Sequence, residues 1–243
     1  MDKQLTREES QSFGANLLWK NPYIEEMREL SRSGNLDFNK KVIGTFQLLK
    51  QKFSWNGEYK LHSENLDKVL KTGTGSNADL NFIFIGMLKS FGIKAYPVVM
   101  SRRSVGMLPV SFPSLQKLNT FVVAIYDEVR GKYVYLDGSM DVPALNVLPI
   151  ELSVTKARIL SADIPENKKW VNLREIPTNQ IFMKISANAQ GNQITGRRTT
   201  ILKGYDALEY RKEYQTKDSL VNKQELVKEK LANQQSETNR DGR

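Results

Sequence analysis

The chain has 243 residues, 40% apolar and 26% charged, with no cysteine and one histidine; 36 Lys and Arg against 27 Asp and Glu give a net charge of +9. That composition belongs to globular proteins rather than disordered or fibrous ones, and the length buries one sizeable core with room for an appendage. Without cysteine there are no disulfides, thiolate metal sites or cysteine nucleophiles, a lone His62 makes no histidine metal site, and no apolar run approaches the roughly 18 residues of a membrane helix.

In chain order, "NLLWKNPYIEEMREL" predicts a short helix opened by Pro22, with Glu25 and Glu26 in its first turn, where they complement the helix dipole. Residues 1–35 are read as a helical flank. In "NLDFNKKVIGTFQLLKQKFSW", Val42, Phe46, Leu49 and Phe53 recur at four, three and four residues, so one face of a second helix is apolar. "SENLDKVLKTG" predicts a third helix, with Ser63 as its cap, Leu66, Val69 and Leu70 as its apolar stripe and a glycine at its stop.

The next stretch, "TGTGSNADLNFIFIGMLKSFGIKAYPVV", sets its own boundaries. Ser76 and Asp79 match the capping-box spacing in an acidic variant, so Ser76 is the N-cap and Asn77 the first helical residue. Phe82, Ile83, Phe84, Ile85, Met87 and Leu88 make this helix apolar on nearly every side, which places it at the centre of a domain. Gly92 supplies the left-handed residue at its end. "IKAYPVVMS" then reads as a strand, with Pro97 at an edge or bulge.

After the turn-rich "SRRSVGMLPVSFPSLQK", the strands "LNTFVVAIYD" and "KYVYLDGS" form a hairpin through Arg130 and Gly131. "NKKWVNLRE" and the pair "IFMKISA" and "QITGRRTT", joined near "QGN", add strands, and a helix follows at "ALEYRKEY". From Lys217 onward the chain is polar, and a solvated helix that frays is expected. A buried helix followed by antiparallel strands, with helices before and strands after, is α+β.

The stretch from Lys40 to Pro149 resembles the transglutaminase-like superfamily domain, which has the papain-like cysteine-hydrolase fold. The resemblance rests on Gly75, Ser76, Asn77, Ala78 and Asp79 at the start of a buried helix, then Gly92, Ile93, Ala95 and Val98, then "LNT" and "YLDGS". A Gram-negative bacterial branch of envelope proteins, with such a domain between two β-rich domains, is more similar still. Its motifs match "FSWNG", "GSNADLN", "AYPVVMSRR", "LNTFVVA" and "LDGS" in the same order. The resemblance implies a core at residues 36–164 with a buried central helix on an antiparallel sheet, a partial β-rich C-terminal domain at 165–216 and a polar tail at 217–243. It also implies a periplasmic or envelope location, with the signal peptide in an N-terminal part that this chain lacks. "MDKQLTREES" has no positively charged segment followed by an apolar core, so the chain alone gives a cytoplasmic alternative.

In that family the nucleophilic cysteine opens the buried helix, and histidine and aspartate lie on the following hairpin. By the resemblance, the three positions here hold Asn77, Thr120 and Asp137. A carboxamide has no proton that a helix N-terminus could remove to make a nucleophile, and threonine is no general base near neutral pH. The expectation is a degenerate, non-catalytic module, a binding or structural domain of a larger bacterial envelope protein, with a peptide, glycan or envelope protein as its partner and with no cofactor and no metal.

Ser76, Asn77, Thr120, Asp137, Arg102 and Arg103 are the candidate binding residues; the two arginines suit a carboxylate or phosphate. The alternatives are a hydrolase using Ser76 or another non-canonical site, and a purely architectural spacer between β domains. The basic pairs, among them Lys40/Lys41, Lys168/Lys169 and Arg197/Arg198, are scattered without interleaved aromatics, so no nucleic-acid partner is expected.

Overall fold

The computed structural model describes residues 2–6, 13–32, 36–108, 114–176, 179–191 and 193–216. The tail from Lys217 and the Asn192 position of the "QGN" turn lie outside them. Two compact units divide the chain, Met1–Gln180 and Ile181–Arg243.

The first unit opens with short helices α1 (Asp2–Leu5), α2 (Phe13–Leu17) and α3 (Ile24–Arg32), the last with Glu25 and Glu26 in its first turn as expected. Helix α4 (Phe38–Lys52) is capped by Asp37, whose side chain accepts from Lys40 N, and it buries Val42, Phe46 and Leu49 on the predicted face. Strand β1 (Ser54–Trp55) pairs in parallel with β2 (Thr74–Gly75). Between them runs α5 (Leu66–Thr72), ended by Gly73 at φ 67°. Its cap is Asn65, which accepts from Lys68 N; the expected Ser63 lies two residues too early, outside reach of the first-turn donors.

Helix α6 (Asn77–Ser90) begins where its capping box requires and is buried from Asn77 to Leu88. Gly92 follows at φ 71°. The expected α+β architecture is present, with α6 against an antiparallel sheet of order β5-β4-β3-β6-β7. The strands are β3 (Ala95–Met100), β4 (Thr120–Asp127), β5 (Lys132–Leu136), β6 (Ala157–Ile159) and β7 (Trp170–Val171). The hairpin of β4 and β5 turns through Gly131 at φ 62°, the left-handed conformation a tight turn asks of glycine.

Period-two alternation gives this sheet two apolar faces. Phe121 meets α6 through Phe82, with ring centroids 4.7 Å apart, and Phe13 of α2 completes the cluster at 5.0 Å and 5.2 Å from these rings. Val98, Met100, Val122 and Ala124 pack on the other side with Leu148, Leu152, Val154, Ile164 and Leu173. The flank therefore contributes to the core through Phe13.

Two expectations change. Strand β3 is the middle strand, so Pro97 is at neither an edge nor a bulge. The β6 ladder ends at Val98, and Pro97 O accepts from Leu160 N just beyond it. A central strand tolerates the missing N–H because Pro97 lies past the end of the β6 ladder, where its carbonyl still accepts a bond and no N–H is needed to continue the pairing. The boundary drawn at 165 falls inside this unit, because Trp170–Val171 pairs with Ala157–Arg158 of the same sheet.

The second unit holds β8 (Gln180–Gln190) and β9 (Gln193–Lys203), which form a two-stranded sheet, and α7 (Tyr205–Thr216). A Cβ at Gly196 would stand 2.4 Å from Ser186 O, so glycine permits the two strands' close approach.

Candidate functional site

The first turn of α6 is fixed locally. Ser76 Oγ donates to Asp79 Oδ2 at 2.7 Å and accepts from Asp79 N at 3.3 Å, while Ser76 N donates to Asp79 Oδ2 at 2.8 Å. These bonds satisfy N–H groups that a helix start leaves without partners. Asn77 N donates to Glu58 O at 3.0 Å, and Lys60 N donates to Asn77 Oδ1 at 2.8 Å. The Glu58–Lys60 segment thus crosses the helix start as a strap. Because Lys60 offers an N–H, the Asn77 oxygen must face it and the amide nitrogen must face the sheet.

On that side Asn77 Nδ2 donates to Thr120 Oγ1 at 2.6 Å, with Phe121 O at 3.3 Å. Folding therefore joins the two sequence positions where the resemblance implies cysteine and histidine. Asp137 joins them through a residue that the sequence reading passed over. Asn81 Nδ2 donates to both Phe121 O at 2.8 Å and Asp137 Oδ1 at 2.9 Å, and Asn81 Oδ1 accepts from Gly138 N at 2.6 Å. The signal for Asn81 was present, since it follows Asn77 by four residues, on the same helix face, as the lone polar side chain in the run "LNFIFIGML".

Asn77, Asn81, Thr120 and Asp137 are all fully buried, and Ser76 is 1% exposed. Asp137 also accepts from Ser139 Oγ and, at 3.5 Å, from Ser139 N. Burial pushes its carboxyl up to about 6, against the opposing pull of the Ser139 and Asn81 donors and the positive field of Lys50. Lys50 Nζ is itself buried, 4.0 Å from Asp141 Oδ1, and burial lowers its pKa. Outside the strap, Trp55 donates to Glu58 O at 3.0 Å and stands 5.1 Å from the Tyr59 ring. Burial and the negative field of Asp137 push the Tyr59 hydroxyl up to about 12.

The expected arginine pair is split. Arg102 N donates to Asn119 Oδ1 at 3.1 Å, its guanidinium lies 5.1 Å from the Tyr59 ring centre, and it approaches Glu151 at 3.9 Å. Arg103 instead lines a separate cavity with Ser101, Lys156 and Arg174. Among the described residues no group of His, Asp or Glu is arranged to hold a metal ion, and no helix is long and apolar enough to cross a membrane.

Chemically, the arrangement is a set of mutually satisfied amides, hydroxyls and one carboxylate beneath a backbone strap. As binding candidates, Ser76, Asn77, Thr120 and Asp137 are engaged internally and have no solvent-facing surface to offer a partner.

No protein-family profile and no curated protein matches the chain. Among solved structures it is similar to a protein described as a "putative protease" from Parabacteroides distasonis, at 14% identity and a TM-score of 0.45, over 79% of this chain and 51% of that one. It is also similar to a "putative cysteine protease" from Cytophaga hutchinsonii, at 14% identity and a TM-score of 0.33, over 52% of this chain and 42% of that one. The chain spans about half the length of these two proteins or less.

Proposed function

We propose that the chain is a non-catalytic module of transglutaminase-like type, acting as a binding or structural part of an envelope protein. The observation that carries this reading is the buried bond from Asn77 Nδ2 to Thr120 Oγ1. It stands where the resemblance calls for a thiolate and an imidazole, and neither residue can act as nucleophile or general base near neutral pH. The strap supports the same reading, because Glu58 O and Lys60 N occupy the polar groups of Asn77 that an active site would turn toward substrate. An envelope location rests on the resemblance to the Gram-negative branch.

The hydrolase alternative draws no support from Ser76, whose hydroxyl is buried and bonded to Asp79 rather than to a base. Because Ser76, Asn77, Thr120 and Asp137 are buried and bonded to the protein's own groups, an architectural role, or binding at another surface, is favoured over binding at these residues. The test is turnover of fluorogenic peptide, ester and glutamine-amide probes by the intact chain and by Ser76→Ala. No turnover above background is expected from either; hydrolysis that Ser76→Ala abolishes would overturn the proposal.

A further inference from the structure

The end of β3 carries a cavity of about 200 Å³ whose chemistry differs from that of the closed polar site. Sheet register builds it. Met100 stands opposite Ala157, so the next residues along the antiparallel pair, Ser101 and Lys156, flank the end of the ladder. Leu173 N and Arg174 N both donate to Val154 O, at 2.9 Å and 3.2 Å, which holds Arg174 against the segment leading to Lys156. Arg103 begins the short helical turn that follows β3.

Three cationic side chains from three separate segments thereby line one cavity, together with the hydroxyl-bearing Ser101, Ser153 and Thr155. Among the described residues, none of the three cations has an ion-pair partner within 4.0 Å. Glu151 feels the field of Arg103 but is engaged by Ser104 N and Oγ and approached by Arg102. Ser101 is 2% exposed, and its Oγ is buried with no hydrogen-bond partner. Ser101 therefore forms part of the cavity's frame, and the cationic groups that a ligand can reach are the exposed Arg103, Lys156 and Arg174.

We propose that this cavity binds the phosphate group of a small soluble phosphomonoester. A tetrahedral dianion can accept from two guanidiniums, an ammonium and several hydroxyls at once, whereas a flat carboxylate is satisfied by a single arginine fork. Met107, which lines the same cavity and is 74% exposed, gives the organic part an apolar neighbour. The site is separate from the Asn77 cluster, so this proposal stands or falls independently of the non-catalytic reading.

The test is calorimetric titration of the full chain with phenyl phosphate, with phenylacetate run in parallel. Saturable one-to-one binding is expected, with Kd below about 1 mM. Lys156→Gln and Arg174→Gln should each weaken it about tenfold or more, and Lys132→Gln, an exposed lysine on β5, should leave it unchanged. Arg103→Gln, an exposed position on the same cavity, should weaken binding likewise, and it carries the test if either of the other two charge variants fails to fold. No saturable binding, equal affinity for phenylacetate, or equal loss in Lys132→Gln would overturn the proposal. Binding to phosphatidic-acid vesicles without binding to phenyl phosphate would overturn it too, by assigning the site to a lipid headgroup.

Discussion

Replacing Asp137 with asparagine should remove a pH dependence of stability that belongs to this one buried carboxyl. Its pKa rises from about 3.9 in an unfolded chain to about 6 in the fold. The folded state therefore holds the proton more tightly, and the associated stability is fully present below pH 4 and is lost as pH rises through 6. A shift of about two units corresponds to about 3 kcal/mol in full, of which about 2 kcal/mol falls between pH 4 and pH 7. Asparagine mimics the protonated acid: its oxygen can still accept from Asn81 Nδ2 and its amide can donate to Ser139 Oγ.

The variant and the parent should thus have nearly equal stability at pH 4, with Asp137→Asn ahead by about 2 kcal/mol at pH 7. Urea unfolding at pH 4, 5, 6 and 7 reads this as a gap of about 1 M in midpoint that opens with pH at constant slope. Every other carboxyl cancels in the difference. A gap that stays constant across the range would refute the reasoning and show that Asp137 is solvated or paired in the fold.

Asn81→Ala should cost about 3 kcal/mol, because Gly138 N and Phe121 O lose a buried partner and Asp137 loses a donor; a midpoint within error of the parent would mean that water replaces the amide. Ser76→Ala should cost about 1–2 kcal/mol through loss of the cap, read as a lower thermal midpoint; an unchanged midpoint would place the helix start elsewhere. Gly86→Ala would set a Cβ 2.7 Å from the Trp19 ring, so overpacking should outweigh the gain in helix propensity and lower stability by about 1 kcal/mol. A stabilised variant would show that Trp19 yields freely. Asn77→Cys should react with iodoacetamide at least about tenfold more slowly than Val129→Cys, since Asn77 is fully buried and Val129 is 91% exposed. Equal rates would mean that the Glu58–Lys60 strap opens in solution.

What the sequence determined lies within a few residues of where it is written. The capping box at Ser76 and Asp79, the glycine stops at Gly73 and Gly92 and the turn at Gly131 are contacts between near neighbours, so the local chain carries the whole signal. The all-round apolar run of α6 announced burial for the same reason, and with the hairpin it was enough for the α+β class. Alignment of motifs brought Asn77, Thr120 and Asp137 to attention, but only the fold decided that they form one closed network. That network needs Asn81 to span from the helix to Phe121 and Asp137, 40 and 56 residues away.

The tertiary structure also decided that Pro97 is central, that Trp170 belongs to the same sheet, and that Arg102 and Arg103 serve different places. Each of these depends on which strand stops beside which, and strand register is set by packing across the whole sheet rather than by any segment alone.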